Sequence, residues 1–359
     1  MIKKVGVLGA GTMGSGIAQL CLQRGFPVLI YDAVPEALCS AAGKIRQNLE
    51  NAAAKNRITS EALQFAIQNV IYAKDLKEFV GLDLVIEAVT EDLAIKKNIL
   101  AQVEEICPQA ILATNTSSFL VSNVGEELKD PGRFLGLHFF NPPVAMKLVE
   151  MIRAPKTDAA IFEEAKKFID ESLQKTAVAV KDTPGFIVNR VMRPYYLESQ
   201  RAVLAGAGIS ELDSAAREIG KVPMGPFELM DLIGLDVNLA ITKTIYEAFK
   251  RPERFKPQPI QEHLVSLGHN GRKSGQGFYL YQDGKCVGEN PEVAVVAAGD
   301  GDLSDLEAWE CVINAVTQEA ELAFKEGVAT KEDIDRAITL AMNFPRGPFS
   351  WKNESAKPN

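Results

Sequence analysis

The chemistry open to this sequence is concentrated in one short stretch and one glycine-rich turn. The stretch His138-Phe-Phe-Asn-Pro-Pro-Val-Ala-Met-Lys-Leu-Val-Glu150 sets a histidine at the end of an apolar run and a glutamate in the next. Pro142 and Pro143 force an irregular turn between the two runs. A hairpin-like return then brings His138 and Glu150 side by side. Such a pair suits oxidation of an alcohol, in which a base takes the hydroxyl proton while a hydride departs. Imidazole exchanges protons near neutral pH. A fixed carboxylate holds one tautomer and stabilises the imidazolium that forms. The same pattern also fits a buried structural histidine that merely satisfies a loop, in a chain with three histidines.

The turn is Gly9-Ala-Gly11-Thr-Met-Gly14, a G-x-G-x-x-G that follows an apolar run and opens a helical one. Gly9 permits the tight strand-to-helix turn, Gly11 lets backbone approach a pyrophosphate, and Gly14 lets helix and strand pack closely. The free N–H groups and the positive end of the helix dipole would face the phosphates. Thr12 and Met13, inside the turn, are counted with the cofactor-binding residues. The next strand ends in Asp32, where a carboxylate accepts hydrogen bonds from both adenosine ribose hydroxyls and repels a 2′-phosphate. No Arg or Lys follows immediately (Ala33, Val34). NAD rather than NADP is therefore expected. The bland alternative is a glycine-rich turn with a surface aspartate.

These residues need elements to hold them. Strands are expected at Lys4 to Leu8, Val28 to Tyr31, Leu84 to Val89, Ala110 to Ala113, Phe134 to Phe139 and Leu148 to Ile152. Helices are expected at Thr12 to Arg24, Val34 to about Lys55, and Leu93 to Ile106. The second helix carries an apolar stripe of Leu38, Ala42, Ile45, Leu49 and Ala52. Strands alternating with helices imply a parallel sheet covered on both faces. After about Asp182 strand signals nearly vanish, and helices broken by Gly and Pro take over. Residues 251–259 read as a loop, Gly275 to Tyr281 as a short extended aromatic piece, and Gly284 to Gly301 as a linker. Pro223-Met-Gly-Pro-Phe227 returns as Pro345-Arg-Gly-Pro-Phe349, and Asp213 and Asp335 stand at the same offset before each copy. A duplicated helical unit is the reading. The expected fold is α/β: an N-terminal Rossmann-type doubly wound parallel sheet (1–182), then two related all-α domains (183–283 and a shorter 284–359).

Bulk properties exclude several classes. At 359 residues the chain needs more than one core. No apolar run reaches the ~18 residues a membrane helix needs. Lys3 and Lys4 precede an apolar run that Gly6, Gly9 and Gly11 interrupt, so a first strand is expected rather than a targeting segment. The formal charge of −8 argues against nucleic acid as the main partner. It also requires a local basic patch for any anionic ligand. Five dispersed cysteines, with no CxxC pair and no histidine at metal spacing, read as reduced thiols in a cytoplasmic protein without a metal site.

The segment HFFNPP…MKLVE and the N-terminal GAGTMGSGIA together resemble the 3-hydroxyacyl-CoA dehydrogenase family. So do VIEAVTED (85–92), NTSS (115–118), DTPGFIVNR (182–190), PMGPFELMDLIGLD (223–236) and GRKSGQGFY (271–279). The matches run through nearly the whole chain in order. One departure is Pro142-Pro143-Val144, where the family usually reads Pro-Val-Pro. The resemblance implies NAD as cofactor and an acyl-CoA thioester as substrate. It implies His138 as catalytic base with Glu150 as its partner, Asn189 orienting the substrate oxygen, and Ser117 bonding the 3-oxygen. Glu91, Lys96, Asn141 and Lys273 would contact the cofactor. Read without the family, Asn189 and Ser117 are equally helix caps, and Lys96 and Lys273 are solvated charges.

Lys44, Asn48, Asn51 and Lys55 share one face of the second helix. That face is either the wet side of an amphipathic helix or a wall for the anionic CoA tail. The resemblance assigns substrate binding to Asn48 and Lys55. The in-chain repeat implies a monomer with a pseudo-two-fold helical region, with a homodimer as the alternative. Similar regions occur in multifunctional β-oxidation proteins. Two other functions stay open on the sequence: an NAD enzyme acting on a free hydroxy or sugar acid, and a non-catalytic dinucleotide-binding protein.

Overall fold

A computed structural model describes residues 1–297 and 303–352 of the chain. Contacts divide it into two compact units, one of Met1–Thr183 and one from Pro184 onward.

The first unit is built on an eight-stranded sheet. Its strands are β1 (Val5–Leu8), β2 (Val28–Tyr31), β3 (Val70–Ala73), β4 (Leu84–Glu87), β5 (Ile111–Thr114), β6 (Phe134–Phe139), β7 (Leu148–Arg153) and β8 (Thr176–Lys181). They lie in the order β3-β2-β1-β4-β5-β6-β7-β8. Every neighbouring pair is parallel except β6 and β7. The inner strands β1 and β4 are buried along their whole length, as expected of strands covered on both faces. Helices α1 (Thr12–Gln23), α2 (Pro35–Ala54), α3 (Ser60–Gln68), α4 (Leu93–Ile106), α5 (Val121–Val124) and α6 (Ala159–Lys167) connect and cover the strands. Pro35 opens α2 at the position where a missing N–H costs nothing. The Asp92 carboxylate caps α4 through the Ile95 N–H at 3.0 Å.

The strands and helices read from the sequence are present with ends shifted by a residue or two. α3, β3, α5, α6 and β8 are additional. The buried stripe of α2 is Ala41, Ile45, Leu49 and Ala52, with Ala41 in place of Ala42. Strand order reverses at β1, with β2 on one side and β4 on the other. That is where open parallel sheets place ligands, beyond the strand carboxyl ends. Gly9, Asp32 and Asn115 follow the last residues of β1, β2 and β5, and Glu87 ends β4.

The second unit is helical: α7 (Val188–Val191), α8 (Arg193–Leu204), α9 (Ile209–Glu218), α10 (Pro226–Ile233), α11 (Leu235–Ala248), α12 (Pro259–Ser266), α13 (Glu292–Val296), α14 (Asp305–Lys325), α15 (Lys331–Met342) and α16 (Pro348–Lys352). Residues 284–297, expected to be a linker, are largely ordered. They hold β10 (Lys285–Glu289), paired antiparallel with β9 (Tyr279–Gln282), and α13. Residues 298–301 of that expected linker lie outside the described residues. The loop expected at 251–259 contains a 3₁₀ turn, Glu253–Phe255.

The two Gly-Pro-Phe copies fold alike. Asp213 Oδ1 accepts the Phe227 N–H at 3.0 Å, and Asp335 Oδ1 accepts the Phe349 N–H at 2.9 Å. A Cβ on Gly225 would lie 2.4 Å from Asp213 Cα, and one on Gly347 would lie 2.4 Å from Asp335 Cα. In both copies the aspartate helix thus lies against the start of a Pro-led helix, where only glycine fits.

Candidate active site

The glycine turn has the geometry its spacing implies. Gly9 adopts φ +100°, and a Cβ there would sit 2.5 Å from the Ala88 carbonyl oxygen. A Cβ on Gly14 would lie 1.9 Å from Gly9 O. Gly11 is the opposite case, because nothing lies within 4 Å of its Cβ position. It is the N-cap of α1, and no side chain caps the helix there. The amides at the start of α1 therefore open toward space, which fits a pyrophosphate. Thr12 is exposed and Met13 half-buried. Asp32 is tied into the same turn. Its Oδ2 accepts the Ala10 N–H at 2.7 Å and its Oδ1 the Val34 N–H at 2.9 Å. Each oxygen keeps a second lone pair for a ribose hydroxyl.

His138 and Glu150 are direct partners across the antiparallel β6–β7 pair. His138 Nδ1 and Glu150 Oε2 are 2.7 Å apart. Glu150 is fully buried and His138 is 6% exposed. The Phe140 ring centroid lies 4.5 Å from that of the imidazole. Asn115 Oδ1 accepts the Phe139 N–H at 2.8 Å, which joins the end of β6 to the loop after β5.

That loop carries Ser117, and Glu91 organises it. Glu91 Oε1 accepts from the Thr116 hydroxyl (2.5 Å), the Ser118 hydroxyl (2.8 Å), and the N–H groups of Ser117 (3.0 Å) and Ser118 (3.2 Å). Its Oε2 is 3.1 Å from Lys96 Nζ. Desolvation pushes the Glu91 carboxyl upward, but Lys96 and the two hydroxyls outweigh it, and its pKa falls below the usual range. Lys96 is not a solvated charge. It is 1% exposed and also pairs with the buried Glu87 at 2.8 Å. Ser117 is no helix cap, since the N-cap position of α5 is Leu120.

The remaining expected residues fall into two groups. In the first unit, Asn141 is exposed and begins the cis Asn141–Pro142 bond. Lys44, Asn48, Asn51 and Lys55 are all exposed on or just after α2, and Asn48 Nδ2 donates to Gln19 Oε1 at 3.1 Å. In the second unit, Asn189 is half-buried in α7, whose N-cap position is Ile187, so it is not the cap. Its carbonyl accepts from Arg193 Nε at 3.3 Å. Lys273 Nζ is paired with Asp236 at 2.5 and 2.7 Å.

The NAD-binding domain of 3-hydroxyacyl-CoA dehydrogenase matches residues 4–183, and the C-terminal domain matches 185–281 and again 310–355. The chain belongs to the 3-hydroxyacyl-CoA dehydrogenase family. It is 34% identical to 3-hydroxyadipyl-CoA dehydrogenase of Escherichia coli (strain K12), over 98% of this chain and 90% of that one. It is 38% identical to 3-hydroxybutyryl-CoA dehydrogenase of Mycobacterium tuberculosis (strain CDC 1551 / Oshkosh), over 78% of this chain and 99% of that one. The crystal structure of 3-hydroxybutyryl-CoA dehydrogenase from E. coli K12 superposes with a TM-score of 0.90 at 33% identity, covering 99% of this chain and 92% of the other.

As a member of this family the chain is an NAD-dependent oxidoreductase, and its open Gly11 and tethered Asp32 suit that cofactor. Among the described residues, no helix is long and apolar enough to cross a membrane, and no group of three or more His, Cys, Asp or Glu could hold a metal ion. The five cysteines are free thiols. Two further buried charged groups of the first unit, Glu87 and Lys175, are not singled out by any motif spacing. Glu87 accepts from the Thr114 hydroxyl at 2.6 Å as well as from Lys96. Its one sequence signal is a carboxylate closing an otherwise apolar strand.

Proposed function

We propose that this chain interconverts a 3-hydroxyacyl-CoA and the 3-oxoacyl-CoA, with His138 as the proton-transferring group. The observation that carries the reading is the 2.7 Å contact between His138 Nδ1 and the buried Glu150. With Nδ1 committed to the carboxylate, proton exchange with the substrate hydroxyl falls to Nε2. Glu150 then stabilises the imidazolium formed on oxidation. NAD, when bound, supplies the hydride acceptor. Gly9, Gly11, Gly14, Thr12 and Met13 would receive its pyrophosphate, and Asp32 its ribose. Glu91, Lys96, Asn141 and Lys273 would complete the contacts. Ser117 and Asn189 would hold the substrate's 3-oxygen. The second unit would comprise two repeats (183–283 and 284–359) that pair within one chain, giving a monomer. Five free thiols support a reducing, cytoplasmic setting.

The test is NADH consumption with 3-oxoacyl-CoA substrates of graded length, beginning with acetoacetyl-CoA, against free acetoacetate. The expected result is turnover of the thioesters alone. Turnover of the free acid alone would replace this reading with a hydroxy-acid dehydrogenase. The α2 face gives a second prediction. Lys55→Glu places a carboxylate where an anionic CoA tail would pass, so KM for acetoacetyl-CoA should rise several-fold, on the order of one lost surface charge contact and one added repulsion. A truncated thioester without the nucleotide should show no such rise. Equal changes for both substrates would remove Lys55 from the CoA site.

A further inference from the structure

A lysine holds the turn between the strands of His138 and Glu150. Lys175 immediately precedes β8, and it is 8% exposed. Its Nζ donates to the carbonyls of Val144 at 3.0 Å and Met146 at 2.6 Å. The backbone beside it makes a further tie, Thr176 N–H to Lys147 O at 2.8 Å. Among the described residues Lys175 makes no ion pair, and a buried ammonium without a counter-ion is costly. Two carbonyl dipoles offset that cost only in part. Burial first, and then the like charge of Arg24, lower its pKa to about 8. Arg24 itself is drawn toward Gln174 at 2.6 Å. Of the other charged groups on adjoining segments, Asp170 is bound to Lys166 and to the Ala177 N–H, and Lys147 and Glu171 are exposed.

The same turn presses on the cofactor helix. Pro143 is buried, and a Cβ on Gly16 would lie 2.7 Å from its Cδ. Gly16 belongs to α1, the helix whose first turn is the glycine turn. Asn141, at the start of the irregular segment, is one of the residues assigned above to the cofactor. The turn therefore stands between a cationic clamp and the helix that receives the dinucleotide.

We infer that Lys175 is a positioning residue for the cofactor: by binding the carbonyls of Val144 and Met146 it seats the 141–147 turn against Gly16. This rests on the reading of the glycine turn as the NAD site, and not on His138 as the base. It does not touch the cofactor itself, so its effect is on binding geometry rather than on the chemical step.

The experiment is titration of the purified protein with NADH, read by nucleotide fluorescence, for the parent and for Lys175→Met, Lys175→Arg and His138→Ala. Lys175→Met keeps the length and apolar stem of the side chain and removes the charge. Its NADH Kd should rise about tenfold, the scale of a lost charge-assisted hydrogen bond. Lys175→Arg should recover part of the loss. At saturating NADH, KM for acetoacetyl-CoA should stay near the parental value, which a general loosening of the fold would not leave untouched. The parental Kd should also rise between pH 7 and pH 9.5, as a neutral amine donates more weakly, and in Lys175→Met it should be flat. A Lys175→Met Kd within twofold of the parent overturns the inference. If that variant fails to fold, a parental Kd that does not change over the same pH range overturns it. His138→Ala should bind NADH normally. If His138→Ala also turns over normally while Lys175→Met binds poorly, the proton-transfer reading fails and this inference stands.

Discussion

His138→Ala is expected to lower kcat for acetoacetyl-CoA reduction about 10²- to 10⁴-fold, the usual worth of a positioned general acid or base. NADH affinity should stay within a few-fold of the parent, because the cofactor turn lies on β1 and α1 and not on β6. The variant removes a ring that is 6% exposed and leaves the fully buried Glu150 without its 2.7 Å partner. A buried carboxylate that loses a hydrogen-bond partner is destabilised, so some loss of thermal stability accompanies the substitution. His138→Gln separates the two effects. It refills the site and can donate to Glu150, yet it cannot carry a proton to and fro. If His138 served only to satisfy the turn, Gln would restore activity. With a proton-transfer role, Gln restores stability and leaves kcat low. Steady-state NADH consumption and a melting curve on the same three proteins decide between the two.

The pair at the centre of that argument was legible because two independent features constrained it. Pro142 and Pro143 rule out continuation of β6, and the apolar run 148–152 needs a neighbour in the sheet. A return beside β6 satisfies both, and period-two alternation then sets His138 against Glu150. The glycine turn was legible because part of its demand is local: Gly9 takes φ +100°, and Gly14 packs against the carbonyl of Gly9 itself. The elements that the sequence does not mark lack such constraints. α3 is short and its buried face is reduced to Ala66, so no apolar stripe marks it. β3, at the sheet edge, is only partly buried, and its four-residue apolar run is too short for periodicity to tell a strand from a piece of helix. β8, Thr-Ala-Val-Ala-Val-Lys, is apolar at four successive positions, so no polar–apolar alternation marks it.

Charged residues with buried roles are harder to read than either. Lys96 looks like any lysine in the first turn of a surface helix, yet it spans Glu87 and Glu91 at 2.8 and 3.1 Å. The partners come from the end of β4 and the loop beyond it, and only the strand crossover brings them to the helix. Lys175 is the extreme case, because its partners are carbonyl groups, which every residue carries. No spacing of residue types can announce a lysine whose ligands are main chain. The repeat, by contrast, was visible as Gly-Pro-Phe with a matched aspartate because each copy needs a glycine to admit the aspartate helix and a carboxylate to meet the helix start.

Glu150→Gln should lower kcat/KM for the thioester about 10²- to 10⁴-fold, although it alters a single atom type in a fully buried position. As a carboxylate, Glu150 accepts from Nδ1–H and leaves Nε2 as the proton-accepting nitrogen. An amide can face Nδ1 with either end. With its nitrogen inward it donates to Nδ1, drives the ring proton to Nε2, and blocks the base. With its oxygen inward the tautomer survives, but the imidazolium loses an opposite charge at close range in a water-poor setting, where that attraction is strong. Reduction draws its proton from the imidazolium, so its rate should recover in part as pH is lowered, while at any one pH kcat/KM for oxidation falls by the same factor because the overall equilibrium is unchanged. NADH affinity should be unchanged, in contrast to Lys175→Met. The double variant His138→Ala/Glu150→Gln should be close to His138→Ala alone, because residues acting as one unit do not lose activity independently. Losses that multiply would mean that Glu150 acts on some group other than the imidazole, and the proton relay would have to be abandoned.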